Sequence, residues 1–323
     1  MTPQNARNKL IETIRRKGLA LKTERSYLGW LERYMFFLGY FRPCGSSARK
    51  MEAFLTHLAR DRKVAPSTQN QAFNAILFFY REVLQEDLGS IQALRAKHRH
   101  HIRHAPSEKQ TAALLSAVKD RNGYPVRLIC HILYGCGLRV SEPLDLRTKD
   151  VDLENRRLIV REAKGGKDRA VSIPDCLIPP IQTQLHHARA TWEADQRAEL
   201  PVQLPGGLRR KYPAAQFSWG WAWIFPAHNP CQHPRDGHQV RYRMHEANVQ
   251  RAVRQAAQAL DLEGVITPHI LRHAYATHVM RQGAYVRDVQ TTMGHNSLET
   301  TMGYLHAESG RVPSPLKVIH SAA

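Results

Sequence analysis

The stretch PVRLICHILYGCGLRVSE (125–142) is almost continuously apolar from Val126 to Leu138 and then turns abruptly charged. A run of that character predicts a helix buried on all sides. Gly135 and Gly137 mark its end, and Arg139 follows directly. A guanidinium left unpaired at the end of a buried helix would cost several kcal/mol, so Arg139 should have an anion partner. Glu142, three residues on, is a structural candidate, and a phosphate group is a functional one.

The sequence on either side sorts into elements. Upstream, Ser107 to Gln110 reads as a capping box opening a helix through Leu114, Leu115 and Val118. Downstream, Leu158 to Arg161 and Ala170 to Ile173 are short, partly alternating runs around Lys164-Gly165-Gly166-Lys167-Asp168, a hairpin signal with Lys164 at the tip. From about Thr191 to His238 the pattern breaks, with proline, glycine and four of the five tryptophans of the chain, and reads as an insertion. Helix returns near His245 to Leu260. Thr267-Pro268 starts another helix that Gly283 closes. A short helix over Val286 to Met293 stops at Gly294, and a further one starting at Ser297 carries Tyr304.

The first third is helical throughout. Tyr27, Leu31, Tyr34 and Leu38 form one apolar face before Gly39; Met51, Phe54, Leu55 and Leu58 form a second. Phe73, Ile76, Leu77, Tyr80, Val83 and Leu84 form a third, started by Pro66, Ser67 and Thr68. With a weaker helix around Leu10 to Ile14, a four-helix unit results, its aromatics mostly core. Residues 95–106, RAKHRHHIRHAP, are basic, lack an apolar period and read as a linker. Phosphate contact suits its histidines better than a metal, because the interleaved Arg and Lys repel cations.

Composition narrows the function classes. The chain has 323 residues, with 47 Lys+Arg against 28 Asp+Glu and a net charge of +19. Two ordinary domains fit that length, and the composition excludes wholesale disorder. No apolar run approaches 18 residues and no signal-like start is visible, so a cytoplasmic, nucleoid-associated protein without a membrane partner is expected. Five scattered cysteines without a C-x-x-C pair argue against a disulfide framework, and Cys130 and Cys136 read as buried hydrophobes. The excess charge is concentrated in residues 1–105, which hold 19 basic and 8 acidic residues, a net of +11. Polyanions are the expected partners.

Arg139, Lys164, His269, Arg272, His295 and Tyr304 are weak signals one by one, but their contexts raise them. His269 and Arg272 are spaced i, i+3 on one helix, and Tyr304 follows Gly294-His295 by about one helix. The strings GLRVSE (137–142), HILRH (269–273), GHNS (294–297) and Tyr304 resemble the tyrosine site-specific recombinases, over nearly the whole chain. The resemblance implies a mainly α fold with a small β-sheet: a helical, SAM-like core-binding domain (1–94) that binds DNA, the basic linker (95–106) and a mixed α/β catalytic domain (107–323), together a C-clamp. It further implies a homotetramer on DNA.

The chemistry suits these residues without metal or cofactor. Arg139 and Arg272 supply fork-shaped donors to non-bridging phosphate oxygens. His269 and His295 add hydrogen bonds or manage the nucleophile's proton. Lys164 is expected to protonate the leaving 5′-oxygen, and Tyr304 to form a 3′-phosphotyrosyl link that conserves bond energy, so that no ATP is needed.

The segment from LPGGLRRKYPAA (204–215) through WGWAWIFPA (219–227) to RYRMHEANVQRAV (241–253) is similar to integron integrases, which insert and excise gene cassettes using folded single-stranded as well as double-stranded sites. That likeness places an insertion at about 192–240. DNA contacts are expected from Trp219, Arg241, Tyr242, Arg243 and His245, and from Arg99 and Arg103 in the linker. Trp219, Trp221 and Trp223 alternate, so a strand would put all three on one face, either to staple the insertion or to stack on unpaired bases. His228, Cys231, His233 and His238 have loose metal-ligand spacing that fits no standard zinc site. Two other readings remain: a Xer- or phage-type recombinase of duplex DNA alone, and a catalytically inactive DNA-binding protein of the same fold.

Overall fold

The computed structural model describes residues 2–94, 96, 105–163, 167–262 and 266–294. Its contacts divide the chain into two compact units, Met1–His101 and Ile102–Ala323.

The first unit is built from α1 (Pro3–Arg16), α2 (Leu21–Phe41), α3 (Ser47–Arg60) and α4 (Pro66–Phe78), the last running into a π-helical turn at Phe79–Val83. Thr2 and Ser46 cap α1 and α3 by accepting from the Asn5 and Arg49 amides, and Pro66 occupies the first turn of α4. The helix expected around Leu10 to Ile14 extends to 14 residues, because Ala6, Leu10 and Ile14 together form a buried stripe. Gly39 does not end α2. The helix runs on to Phe41 and reverses at Arg42, whose φ is 44°. Leu31, Tyr34, Phe54, Leu55, Ile76 and Tyr80 meet in the core. There the Tyr34 and Tyr80 hydroxyls lie 2.9 Å apart, and burial pushes the Tyr34 phenol up. Phe36 and Tyr40 lie outside that core, exposed on α2.

The second unit opens with α5 (Glu108–Ala117), where the Ser107–Gln110 capping box forms in both directions. The apolar run becomes α6 (Val126–Gly135), followed by the short α7 (Ser141–Asp145). A three-stranded antiparallel sheet comes next: β1 (Val151–Asp152), β2 (Arg157–Ala163) and β3 (Lys167–Ser172), in that order. Leu158 pairs with Val171, and Val160 with Arg169. Alternation therefore turns Leu158, Val160, Val171 and Ile173 into the core, and carries Arg169 to the same face.

Helix α8 (Ile178–Arg197) runs six residues past Thr191, where the break in pattern was expected. Then come α9 (Leu208–Lys211), a two-stranded hairpin of β4 (Cys231–Gln232) and β5 (Gln239–Val240), α10 (Glu246–Ala259), α11 (Pro268–Arg281) and α12 (Val286–Met293). Gly294 ends α12 at φ 63°. Helix α11 packs on α6, where the Tyr134 hydroxyl meets His278 Nδ1 at 3.0 Å. His278 Nε2 in turn lies 3.0 Å from the Pro106 carbonyl. All five cysteines are free; burial pushes the Cys130 and Cys136 thiols up to about 12. The fold is mainly helical with small sheets, as expected. Among the described residues no helix is long and apolar enough to cross a membrane.

Candidate active site

The turn after α6 is tight. Gly137 has φ 62°, and a Cβ there would stand 2.4 Å from the Tyr275 ring, so glycine is required on two counts. The turn delivers Arg139 to the start of α7, where Glu142 is its partner. Glu142 Oε1 accepts from Arg139 Nη1 at 2.7 Å, and Oε2 accepts from the Arg139 amide at 2.8 Å.

Glu142 serves two more guanidinium groups. Arg169 reaches it from β3 in bidentate fashion, at 3.1 and 2.7 Å, and Arg272 Nη1 lies 3.8 Å from Oε2. Burial alone would raise the Glu142 carboxyl. Hydrogen bonds from Arg169 and the Arg139 amide, with the charge of Arg169, outweigh it and hold the group below the usual carboxylate range.

The same three arginines close the end of α12. The carbonyl of Thr292 accepts from Arg169 Nε at 2.7 Å, that of Met293 from Arg272 Nη2 at 2.6 Å, and that of Gly294 from Arg139 Nη2 at 2.9 Å. The last carbonyls of a helix lack intrahelical partners and carry its negative dipole end. Here three consecutive carbonyls each receive a different cation. The cluster thereby fixes where the chain leaves α12, directly before His295.

Arg139 and Arg272, two of the six expected catalytic residues, thus meet on one carboxylate. Arg139 keeps a quarter of its side chain exposed, whereas Arg272 is 1% exposed and also donates to the Gly137 carbonyl at 2.7 Å. His269 is exposed within the otherwise buried first turn of α11, so the i, i+3 spacing does not give it and Arg272 the same exposure. Lys164, His295 and Tyr304 lie outside the described residues, as do Arg99 and Arg103. Arg169 escaped the sequence reading. Its signal was the period-two series Arg169, Val171, Ile173, which sets a cation in line with two core residues.

The insertion departs from expectation in two places. Trp219 to Trp221 form a 3-10 turn rather than a strand, so the three tryptophans do not share a face. Trp223 is buried beneath the Arg147 guanidinium, 3.0 Å from its ring centre, and Trp221 lies under Lys149 Nζ at 2.9 Å. Arg147 also donates to the Trp221 and Gln203 carbonyls. Both rings therefore fasten the insertion to the body. Trp219 is half-buried, edge-on to Trp192 at 5.7 Å, with Arg189 over both rings.

Arg241, expected at the DNA, is instead buried. It forms two bonds to Asp195 of α8, at 2.8 and 2.5 Å, and others to the Ala227 and His228 carbonyls. Such a pair ties down the end of the insertion and turns the guanidinium inward. Arg243 pairs with Asp145 at 2.5 Å and Glu246 at 3.4 Å, and Tyr242 lies 5.9 Å from Trp223. His245 caps α10, its Nδ1 accepting from the Ala247 amide at 3.1 Å.

Comparison with known proteins shows the family. Residues 106–311 match the profile of the phage integrase family, and residues 7–90 that of the phage integrase N-terminal SAM-like domain. An integrase/recombinase from Escherichia coli and one from Pseudomonas aeruginosa are each 40% identical over 303 residues, 93% of this chain and 88% of theirs. The fold is similar to that of the Tn1549 transposon integrase in complex with transposon right end DNA, with a TM-score of 0.60, 17% identity and 98% of each chain covered. The chain belongs to the phage integrase family of tyrosine recombinases.

Proposed function

We propose that this protein is a site-specific DNA recombinase of the integron integrase kind, working in the bacterial cytoplasm on folded single-stranded and double-stranded sites. The observation that carries the recombinase reading is the Glu142 carboxylate with Arg139 and Arg272 at the turn that leads into His295, and the likeness of residues 204–253 to integron integrases supports the finer one. Arg139, a quarter of its side chain exposed and held with Arg272 at one carboxylate, is a fixed donor for a phosphate and needs little reorganisation when charge develops on it.

In this reading the Tyr304 oxygen attacks the scissile phosphorus. The bond to the 5′-oxygen breaks, and a 3′-phosphotyrosyl link forms. His269 and His295 manage the tyrosine proton, while Lys164 supplies one to the leaving 5′-hydroxyl. A 5′-hydroxyl from a second duplex or hairpin then attacks the link and releases Tyr304. One phosphodiester replaces another, so no ATP, metal or cofactor enters the balance. Residues 1–94 grip DNA, residues 107–323 perform the chemistry, and four copies assemble on two sites. Arg99 and Arg103 contact backbone phosphates. Trp219 stacks on a base looped out of a folded strand, with Tyr242, Arg243 and His245 nearby in sequence.

The test is incubation with labelled single-stranded hairpin sites and labelled duplex sites, followed by denaturing gels. Covalent adduct on both supports the integron reading. Adduct on duplex alone identifies a Xer- or phage-type enzyme, and binding without adduct on either identifies an inactive DNA-binding protein.

A further inference from the structure

The hairpin of β4 and β5 closes on the loop Pro234-Arg235-Asp236-Gly237. Beyond the paired Gln232 and Gln239, the next residues across the ribbon are His233 and His238, joined by a His233 amide to His238 carbonyl bond of 2.8 Å. Side chains of such a pair leave the ribbon on one face. The two imidazoles stack there, with centroids 5.0 Å apart. Gly237, at φ 73°, turns the loop back, and the Gly237 amide donates to the His233 carbonyl at 2.9 Å. Asp236 Oδ1 then lies 2.8 Å from His238 Nδ1 and directly against His233 Nδ1. All three donor atoms fall within 4.8 Å of one another.

Hydrogen bonding alone accounts poorly for these contacts. His233 Nδ1 is buried, and it meets the Asp236 carboxylate without the alignment of an ordinary hydrogen bond. His238 Nδ1 faces the Asp236 carboxylate, which calls for a proton on that nitrogen. It also faces Arg209 Nη1 at 3.0 Å, which calls for a lone pair. One imidazole nitrogen does not serve both. A cation in place of the guanidinium resolves the conflict, because two neutral imidazoles and a carboxylate all turn lone pairs toward it.

We propose that His233, Asp236 and His238 bind one divalent transition metal of the zinc type, each giving one donor atom and leaving a fourth position to water. Zinc bonds of about 2.0–2.2 Å place neighbouring ligand atoms roughly 3.3 Å apart, so the trio closes on an ion with movements of about an ångström. Of the other residues with metal-ligand spacing, His228 is engaged by the Asn122 carbonyl at 2.7 Å and stacked on Tyr124. Asp236 takes the place that spacing alone gave to Cys231. Arg209, nearly half exposed and 2.9 Å from Asp236 Oδ2, is the competitor that swings out. The ion pins the hairpin and has no part in strand transfer, so the proposal stands apart from the function given above.

The full chain, stripped by a chelator, is titrated with Zn²⁺ in competition with a chromophoric chelator, and separately with Co²⁺ to read visible absorption. One equivalent is expected, weakened about tenfold or more in both Asp236→Asn and His238→Ala, with the Co²⁺ bands lost. Circular dichroism of each variant confirms its fold, and Asp236→Asn keeps a residue suited to the turn. All variants retain the histidines of residues 98–104, so metal held there appears as common background. Cys231→Ser leaves uptake unchanged, and Arg209→Ala leaves it unchanged or tightens it severalfold. Uptake equal in wild type and both ligand variants overturns the site, as does weaker uptake on loss of Cys231 or Arg209.

Discussion

Arg139 donates to the carbonyl of Gly294 at 2.9 Å across 155 positions of sequence. That bond joins the turn after α6 to the end of α12, and Glu142 ties both to β3 through Arg169. The candidate site is therefore a junction of three distant segments, and its weak points can be tested singly.

Glu142→Gln removes the charge that three arginines share. Breaking a buried pair in this way costs about 3–5 kcal/mol, so the urea midpoint at neutral pH should fall clearly. The sign with pH follows from the lowered Glu142 carboxyl. A depressed carboxyl contributes stability that is present above its unfolded value and is lost as pH falls through the folded one. The gap between wild type and variant should therefore narrow in acid, and a gap constant from pH 7 downward would show that Glu142 is not held ionised.

Gly137→Ala meets two penalties at once. A left-handed φ costs a non-glycine residue about 1–2 kcal/mol, and the new methyl collides with the Tyr275 ring. Thermal melts should show the variant strongly destabilised. Adding Tyr275→Ala should recover the steric part alone, and no recovery would remove the collision from the account.

Tyr304→Phe should bind DNA as the wild type does and yield no covalent adduct on a denaturing gel. Adduct at the wild-type level would end the assignment of Tyr304 as nucleophile.

Arg272→Lys keeps the charge but loses the fork that spans the Gly137 and Met293 carbonyls. Adduct formation should stay severely impaired with DNA affinity little changed. Near-normal cleavage by the lysine variant would show that geometry at this position is dispensable.

Trp219→Ala should weaken binding to hairpins with looped-out bases by about 1–3 kcal/mol, the usual worth of one stacked base, and leave duplex binding nearly unchanged. Band shifts on the two probes decide it: equal losses would mark Trp219 as packing, like Trp221 and Trp223.

What could be read in the sequence follows the range of the interactions. Arg139 and Glu142 lie three residues apart beside a buried helix, so local chemistry pairs them. The capping box at Ser107 and the stop at Gly294 are local in the same sense. The period-two series sets Arg169 on the core face, but its partners, Glu142 and a carbonyl 123 positions away, come only with the tertiary fold. Arg241 looks like a surface cation until Asp195, 46 positions earlier, is packed against it. The alternating tryptophans suggested a strand, but Thr148 accepts the insertion by donating to the Trp219 carbonyl and Arg147 by donating to that of Trp221. Those tertiary bonds curl the chain into a 3-10 turn.

The three-carbonyl clasp also bears on the life of the chain before it is complete. Domains form in order as a polypeptide emerges during synthesis. A product that stops short of residue 286 holds the first unit and all three arginines, yet lacks the carbonyls that orient them. Under the proposed function, such a fragment also lacks Tyr304 and so forms no covalent link. Until α12 forms, Arg139 and Arg169 have Glu142 but no helix end to hold, so the cluster takes its final shape only in the last stretch of the described residues.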